Sequence, residues 1–318
     1  MNQLATINTQ HEVATLSQFN AELYQRFISF LDVKPRTADT YAKALKQLFS
    51  YFAVEGIGQP TRHDLIAFRD AIKANLKAST VKTYMTATRL FFRWLEQEGL
   101  YKNIADKIKG AKVEHGHKKD ALTVEQVKDV LQTFDSQQAN EKRDYAIFCL
   151  MVTCGLRTIE VARANVEDLR TLGSKTVLYV QGKGKDEKSD YVIITREVEK
   201  AVRAYLATRE DVGDKAPLFT STSNNSKGQP LSTRTISGLV KERLKDAGLN
   251  SNRLTAHSLR HTAVTLSLLG GSTLQEARQF ARHANIATTE IYAHNLERMA
   301  NPCEGIISSS IFSQPAMQ

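Results

Sequence analysis

The sequence predicts a mainly helical protein of two domains, with a small β-sheet in the second. Its 318 residues exceed what one small core usually organises, which favours two domains. Apolar residues recur at intervals of three and four from about residue 17 to 109, the period of amphipathic helices. Alternation with a period of two is found only at 177–180 and 191–194, which therefore predict a β-hairpin.

Four helices are expected in the first domain, which we place at 17–109 after a flexible N-terminus at 1–16. Short helices joined by turns usually form one compact all-α core. The expected boundaries are a cap at Thr37 and an end at Gly56 for the second helix, a start after Thr61 for the third, and a start near Ser79 and an end at Gly99 for the fourth.

The segment 110–120 is basic and polar and contains two glycines, which is typical of an exposed linker. The second domain is expected at 121–301 and a C-terminal tail at 302–318. Thr123 and Gln126 have the spacing of a capping box and predict a helix start. Further helices are expected over 145–153, from 197, and over 233–247, 256–269, 274–282 and from 288.

Charge and cysteine usage narrow the class of protein. Lys and Arg total 43 against 34 for Asp and Glu, a net charge of +9 that favours a polyanionic partner. Three cysteines do not form a disulfide framework, so a reducing compartment is expected. The chain lacks a signal-peptide pattern and a long apolar run, so we expect a cytoplasmic protein, associated with the nucleoid if bacterial.

Five short segments of the second domain contain residues able to do chemistry. They are Gly155-Leu-Arg157-Thr-Ile-Glu160, Lys183 between two glycines, His257-Ser-Leu-Arg260-His261, Arg282-His283, and Thr288-Thr-Glu-Ile-Tyr292-Ala-His294. Taken singly, each residue has an ordinary structural explanation, as a surface arginine, a solvated turn lysine or a half-buried aromatic. A zinc site at His257 and His261 is disfavoured, because Arg260 lies between them and no cysteine pair or nearby carboxylate completes it.

In this order the segments resemble the tyrosine recombinase (phage integrase) family. The motifs are G-L-R-x-x-E, a G-K-G hairpin, H-x-L-R-H-T and H-x-x-x-x-T-T-x-x-Y-x-H. The resemblance implies a SAM-like four-helix core-binding domain and a mixed α+β catalytic domain, in a Xer-like architecture without an arm-binding domain. It also implies cleavage and rejoining of double-stranded DNA through a 3′-phosphotyrosyl intermediate, without metal, cofactor or ATP.

The same resemblance implies a role for each matching residue. Tyr292 would be the nucleophile, Arg157 and Arg260 would hold the scissile phosphate, and Lys183 would protonate the leaving 5′ oxygen. His257 and His283 would match the remaining catalytic positions, with Glu160 and His261 in support.

General chemistry independently favours these residue types. Attack on a phosphodiester builds negative charge on its non-bridging oxygens, which forked arginine donors stabilise. Tyrosine, with a pKa near about 10, must lose its proton as it attacks, and the 5′ alkoxide needs an acid such as lysine. A phosphotyrosyl link conserves the energy of the broken bond, so rejoining needs no ATP.

One position departs from the family pattern. The family usually has Leu-Gly before the position of His283, and this chain has Ala281-Arg282. Glycine there normally allows a tight bend. Two alternatives are open for Arg282: an additional contact to phosphate, or a side chain that faces solvent.

The resemblance also implies that the two domains clamp a DNA duplex from opposite sides. Candidate contacts on the second and fourth helices are Arg36, Thr40, Lys43, Lys77, Lys82 and Arg89, against the alternative of two solvated helix faces. The family's tails dock on neighbouring protomers, so the resemblance implies a homo-tetramer of two dimers on paired DNA sites, linked by the tail. A tail folded back on its own domain is the alternative.

Two other functions are weighed against site-specific recombination. A type IB topoisomerase-like enzyme would share the chemistry and relax supercoils without exchanging partners. A catalytically silent DNA-binding accessory protein would lack the reaction altogether, which the complete set of reactive residues disfavours.

Overall fold

A computed structural model describes residues 22–113, 120–135, 137–182, 184–210 and 212–312, apart from the side chains of 295 and 298–300. The expected flexible segment 1–16 and most of the expected linker lie outside these residues. The chain divides into two compact units, Met1–His115 and Gly116–Gln318. Within the described ranges, no helix is both long and apolar enough to cross a membrane.

The first unit consists of helices whose apolar faces form one core. Helix α1 covers 22–30, α2 covers Pro35–Val54, α3 covers Arg62–Asn75 and α4 covers Ala78–Gln97. Phe27, Phe91 and Trp94 are almost fully buried and pack at ring-centroid distances of 5.3 to 5.9 Å. Such large rings contribute much of the apolar area that holds a small helical unit together.

Helices α2 and α4 begin in the same way. Each follows a lysine in an extended conformation, Lys34 or Lys77, and neither has an acidic residue in its first turn. The expected cap at Thr37 is wrong, because Pro35 can occupy the first helical turn without losing a hydrogen bond and the helix starts there. The expected start of the third helix after Thr61 is confirmed, since α3 begins at Arg62, and Thr61 forms a capping box with Asp64.

The second unit is mixed α and β. After α5 (Val124–Gln132), α6 (Ala139–Thr153) and α7 (Thr158–Ala162) come strands β1 (Leu169–Leu172), β2 (Lys175–Val180) and β3 (Asp190–Ile194). The remaining helices are α8 (Arg196–Leu206), α9 (Thr233–Asp246), α10 (Ala256–Leu269), α11 (Leu274–Ala281), α12 (Ala287–Ala300) and α13 (Cys303–Phe312).

The sheet is antiparallel, in the order β1-β2-β3. Val177 lies opposite Ile193, and Tyr179 lies opposite Tyr191, so the expected hairpin is confirmed. Strand β1 was not expected, because its short sequence, Leu-Arg-Thr-Leu, is mostly exposed and shows little apolar alternation. The hairpin is important for the site because Lys183 lies between β2 and β3 in the sequence.

Helix α6 lies in the middle of the second core, since its residues from Ala146 to Val152 are all buried. Helix α10 packs against it and is fixed to the start of the unit by a buried hydrogen bond. The backbone N–H of Leu122 donates to the hydroxyl of Thr262, at 2.8 Å. A buried N–H of this kind requires a partner, so this hydrogen bond fixes the part of α10 that contains Arg260 and His261.

Candidate active site

Arg260 joins three segments of the second unit. Its side chain is almost fully buried, and its guanidinium donates to the carbonyl oxygens of Gly155 and Ala281. Gly155 precedes α7, and Ala281 ends α11. The segments that contain Arg157, Arg260 and Arg282 therefore meet at one place.

Glu160 is the anionic centre of this cluster, with 1% of its side chain exposed. Its Oε1 accepts from the guanidinium of Arg157 at 2.8 Å, and its Oε2 accepts from the backbone N–H of Arg157 and from Arg282, both at 2.8 Å. Burial raises the pKa of the Glu160 carboxyl, but Arg282 and Arg157 outweigh it, so the pKa lies below its usual value. Glu160 is therefore a buried carboxylate paired with two arginines.

Arg282 occupies the bend where the family usually has glycine. It caps α11 in the left-handed conformation, with φ 52° and ψ 45°. The bend itself is preserved, because the N–H groups of Arg282 and His283 bond back to Gln279 and Arg278 of α11. The alternative of a solvent-facing Arg282 is wrong, since only 8% of its side chain is exposed.

Tyr292 lies between two histidines. Its ring centroid is 5.1 Å from that of His261 and 6.2 Å from that of His283, the latter nearly parallel at 23°. The Nδ1 atom of His283 is 2.9 Å from the hydroxyl of Thr289, which is fully buried on α12. Helix α12 therefore holds the tyrosine and, through Thr289, also orients His283.

Burial and mutual repulsion shape the electrostatics of the cluster. Burial raises the pKa of Tyr292 to about 12, although Arg260 and Arg157 act in the opposite direction. Burial, with Arg260 and Arg157, lowers the pKa of His283 to about 4, so its imidazole is neutral at pH 7 and the same effects disfavour its protonation. Burial, with Arg157 and Arg282, lowers the pKa of Arg260 to about 9, which leaves it charged at pH 7. The cluster therefore favours an anion.

The structure shows the position of His257 directly, and for Lys183 it shows only the neighbouring residues. His257 is exposed at the start of α10, with its ring 4.6 Å from that of His261. Lys183 itself lies outside the described residues. The preceding Gly182 is buried, lies close to Glu160, and accepts a hydrogen bond from Arg163 at 3.4 Å. The start of the hairpin turn is thus beside the arginine cluster.

No group of three or more metal-ligating side chains is found in the described parts of the chain. His257 and His261 contact each other edge to face, with an interplanar angle of 81°. The His261 ring also packs on Tyr292, as described above. His257 and His261 therefore contact each other, and His261 also contacts Tyr292.

The six candidate DNA contacts of the first unit differ in accessibility. Arg36, Lys43, Lys77 and Lys82 are exposed, and Thr40 lines a groove of about 210 Å³ between α2 and α4 together with Ser79, Thr80, Thr83 and Tyr84. Arg89 is half-buried and donates to Ile108 O at 2.8 Å and to Thr86 Oγ1 at 3.0 Å. Within the described unit, Arg89 therefore stabilises the segment that follows α4.

Sequence reasoning missed two features of the site. A helix was expected from 288 and starts at Ala287, but the bond of Thr289 to His283 was not foreseen. The carbonyl of Gly155 accepts from Arg260 and, at 3.4 Å, from Arg282. A backbone acceptor leaves no mark in a sequence, but the glycine beside Leu156-Arg157 is a signal of unusual backbone geometry.

Replacing Gly155 by Ala is expected to destabilise the second unit by about 2 kcal/mol. Gly155 has φ +60°, and an added Cβ would lie 3.3 Å from the ring of Phe280. The substitution therefore combines backbone strain with crowding, next to the carbonyl that receives Arg260. Thermal unfolding measures the effect, with Gly173→Ala as a control of similar φ (+61°) and open surroundings. Equal losses in the two variants would show that crowding at Gly155 contributes nothing.

Both units match families of known proteins. A model described as "Phage integrase family" matches residues 120–299, and one described as "Phage integrase, N-terminal SAM-like domain" matches residues 6–99. Together with the tyrosine and its arginines, these matches define a class of enzyme that cleaves and rejoins DNA. The chain belongs to the phage integrase family, the tyrosine recombinases.

Relatives of similar organisation are found in bacteria and archaea. Tyrosine recombinase XerC of Thermodesulfovibrio yellowstonii is 28% identical over 270 residues, which cover 81% of this chain and 85% of that protein. Tyrosine recombinase XerA of Pyrococcus horikoshii is 29% identical, with 86% and 89% covered. XerC of Caldanaerobacter subterraneus subsp. tengcongensis is 33% identical, over 66% of this chain and 57% of that protein.

Solved structures share the fold. XerH site-specific recombinase bound to a palindromic difH substrate, in a post-cleavage complex, has a TM-score of 0.71 at 20% identity, covering 94% of this chain and 91% of that one. A lambda integrase dimer bound to a COC′ core site has a TM-score of 0.63 at 18% identity, covering 86% and 96%. The predicted fold class, a SAM-like helical domain followed by a mixed α+β catalytic domain, is confirmed.

Proposed function

We propose that this protein is a site-specific DNA recombinase in which Tyr292 attacks the scissile phosphate and forms a 3′-phosphotyrosyl intermediate. The observation that supports this assignment most strongly is the convergence on Tyr292. The Tyr292 ring lies beside the rings of His261 and His283, and the charges of Arg260 and Arg157 act on its hydroxyl, so four separate segments of the second unit meet there. The relatives and structural neighbours are recombinases, so a topoisomerase or a silent accessory protein is not favoured.

Arg157 and Arg260 hold the phosphate in this proposal. The backbone bonds of Arg260 to Gly155 and Ala281 fix its guanidinium before DNA arrives, so little reorganisation is needed when charge develops on the phosphate oxygens. The guanidinium has further N–H donors for those oxygens. Arg157 is 29% exposed while bonded to Glu160, so it is accessible from the surface and oriented from within.

The proton of Tyr292 must leave during attack, because a neutral phenol is a weak nucleophile. When the scissile phosphate approaches, Tyr292 reacts beside two arginines that oppose the rise in its pKa. In this proposal a histidine beside the Tyr292 ring takes or shares the proton, and His257 assists at the phosphate. Lys183 protonates the 5′ oxygen as it leaves, from a turn that begins at Gly182 beside Glu160.

Trapping a covalent complex tests the function directly. Footprinting on the host's genomic DNA would first locate the binding site, and a nicked duplex of that site would then prevent religation. The proposal expects a protein–DNA adduct that survives denaturation, with Tyr292 in the DNA-linked peptide. Relaxation of a plasmid that lacks the site would instead support the topoisomerase alternative, and specific binding without any adduct would support the accessory protein.

The first unit supplies the sequence-independent grip on DNA in this proposal. Arg36 and Lys43 on α2, and Lys77 and Lys82 on α4, are exposed cations on helices that begin without acidic residues. Helix N-termini and lysines both favour phosphate oxygens. The hydroxyl of Thr40, in the groove between these helices, is a further contact.

The tail links protomers in this proposal, in a homo-tetramer on paired DNA sites. Helix α13 has no buried residue, and Ile306, Ile307, Ile311 and Phe312 are each 57% to 78% exposed. Such a concentration of exposed apolar side chains on one short helix is typical of a segment that packs on a partner. An isolated helix of this length is also marginal in water, so docking would stabilise it.

Deletion from Cys303 onwards is expected to reduce cooperative binding to a two-site DNA by about tenfold or more, because each protomer then loses its link to the next. Affinity for a single site should be unchanged. Gel-shift titrations on one-site and two-site duplexes measure both quantities, with Ser309→Ala in the same helix as the matched control. Unchanged cooperativity with a lower thermal midpoint would mean that the tail folds back on its own domain.

A further inference from the structure

Arg282 is the residue of the cluster to which neither the family pattern nor the reaction assigns a role. A side chain in the left-handed conformation is unfavourable, and glycine is the usual residue at such a helix end. Unfavourable conformations of this kind persist only where the surrounding structure determines them. The contacts of the guanidinium show what determines this one.

The Arg282 guanidinium makes its hydrogen bonds inside the protein. One amino group donates to Phe280 O at 3.0 Å, and the other donates to Glu160 Oε2 at 2.8 Å and to Gly155 O at 3.4 Å. The Nε atom is buried and has no hydrogen-bond partner in the described structure. One of the two amino groups donates to the Glu160 carboxylate, so the Arg282 side chain is placed to bind Glu160.

Glu160 receives one guanidinium on each carboxylate oxygen. Arg157 is 29% exposed and can reach a ligand, whereas the side chain of Arg282 is 8% exposed. If Arg282 were uncharged, the buried carboxylate would have Arg157 as its nearest counterion, and the charge of Arg157 would be largely neutralised. With Arg282 present, Glu160 still orients Arg157, and the cluster keeps one more positive charge than it would have without Arg282.

We propose that Arg282 is a positioning residue for DNA cleavage: it holds and neutralises Glu160, so that Arg157 is oriented and remains available to the scissile phosphate. This inference rests on the proposed recombinase function. Arg282 also links the start of α7 to the bend that precedes His283, so the same ion pair sets the relative positions of Arg157 and His283.

The test is a double-mutant cycle with Glu160→Gln, read as the single-turnover rate of covalent complex formation on the nicked duplex. Arg282→Gly keeps the bend, because glycine readily adopts the left-handed conformation. It is expected to lower the cleavage rate about 100-fold while changing DNA affinity less than about twofold, since a misplaced catalytic group impairs the reaction far more than binding. Arg282→Lys, which keeps the charge, should recover about tenfold of that loss.

The cycle separates this role from a general loss of stability. In the Glu160→Gln background, Arg282→Gly should cost less than about threefold, because the carboxylate it neutralises is gone. Arg282→Gln, uncharged but long enough to reach Glu160, covers the case that the glycine variant does not fold. Arg243→Ala is the control: it removes a partly buried ion pair with Glu141 in the same unit, and should lower the thermal midpoint without slowing cleavage.

A wild-type cleavage rate in Arg282→Gln or in folded Arg282→Gly would overturn the inference, as would equal losses in both backgrounds of the cycle. Absence of any covalent complex with the wild-type protein would contradict the proposed function instead. The two failures are therefore distinguishable in one set of reactions.

Discussion

Tyr292→Phe is expected to abolish the covalent complex with nicked DNA, while leaving specific DNA binding nearly unchanged. The substitution removes one oxygen atom, and without it no phosphotyrosyl bond can form. The phenylalanine ring keeps the contacts with His261 and His283, so the packing of α12 should persist. The expected loss of cleavage exceeds about 10⁴-fold, which is a complete loss in a gel-based assay.

Tyr191→Phe is the matched control for this experiment. Tyr191 lies on β3, is 46% exposed, and pairs with Tyr179 in the sheet rather than with the arginine cluster. Its loss of a hydroxyl should leave the adduct unaffected. An adduct that forms in Tyr292→Phe would show that another residue is the nucleophile, and peptide mapping of that adduct would identify it.

The second large effect is expected for Arg260→Lys, with a fall in the cleavage rate of about 10²- to 10³-fold. The present guanidinium bonds to Gly155 O and Ala281 O and still has donors for a phosphate. A lysine ammonium is a point charge that cannot span two carbonyls and a ligand in one fixed plane. The loss corresponds to about 3 to 4 kcal/mol of transition-state stabilisation.

Two measurements accompany the rate. DNA affinity should fall much less than the cleavage rate, because most phosphate contacts of a duplex-binding protein are made away from the scissile bond. Thermal unfolding should show a moderate loss, since the buried carbonyls lose part of their pairing. Arg243→Lys, at an ion pair elsewhere in the unit, is the control. Wild-type cleavage in Arg260→Lys would mean that the carbonyl bonds of Arg260 are its main role.

Much of the fold was predictable because it depends on local patterns. Each helix of the first unit follows from apolar residues that recur at three and four within it. Phe27, Leu48, Phe68 and Phe91 are one such residue from each successive helix, and each is buried. The hairpin follows from β-rich alternation on both sides of a glycine turn. The start of α2 was wrong by three residues, because proline at the first turn competes with a threonine cap, and such boundaries depend on small energies.

By itself, the sequence determined the family, the two kinds of domain and the candidates for reactive side chains, since motif order and residue chemistry are local properties of a chain. Only the tertiary structure decided which residues those side chains contact. It placed Arg282 on Glu160 rather than in solvent, Thr289 on His283, and the Tyr292 ring between His261 and His283. Glu160 and Arg282 are 122 residues apart in the sequence, so only long-range packing could bring them together.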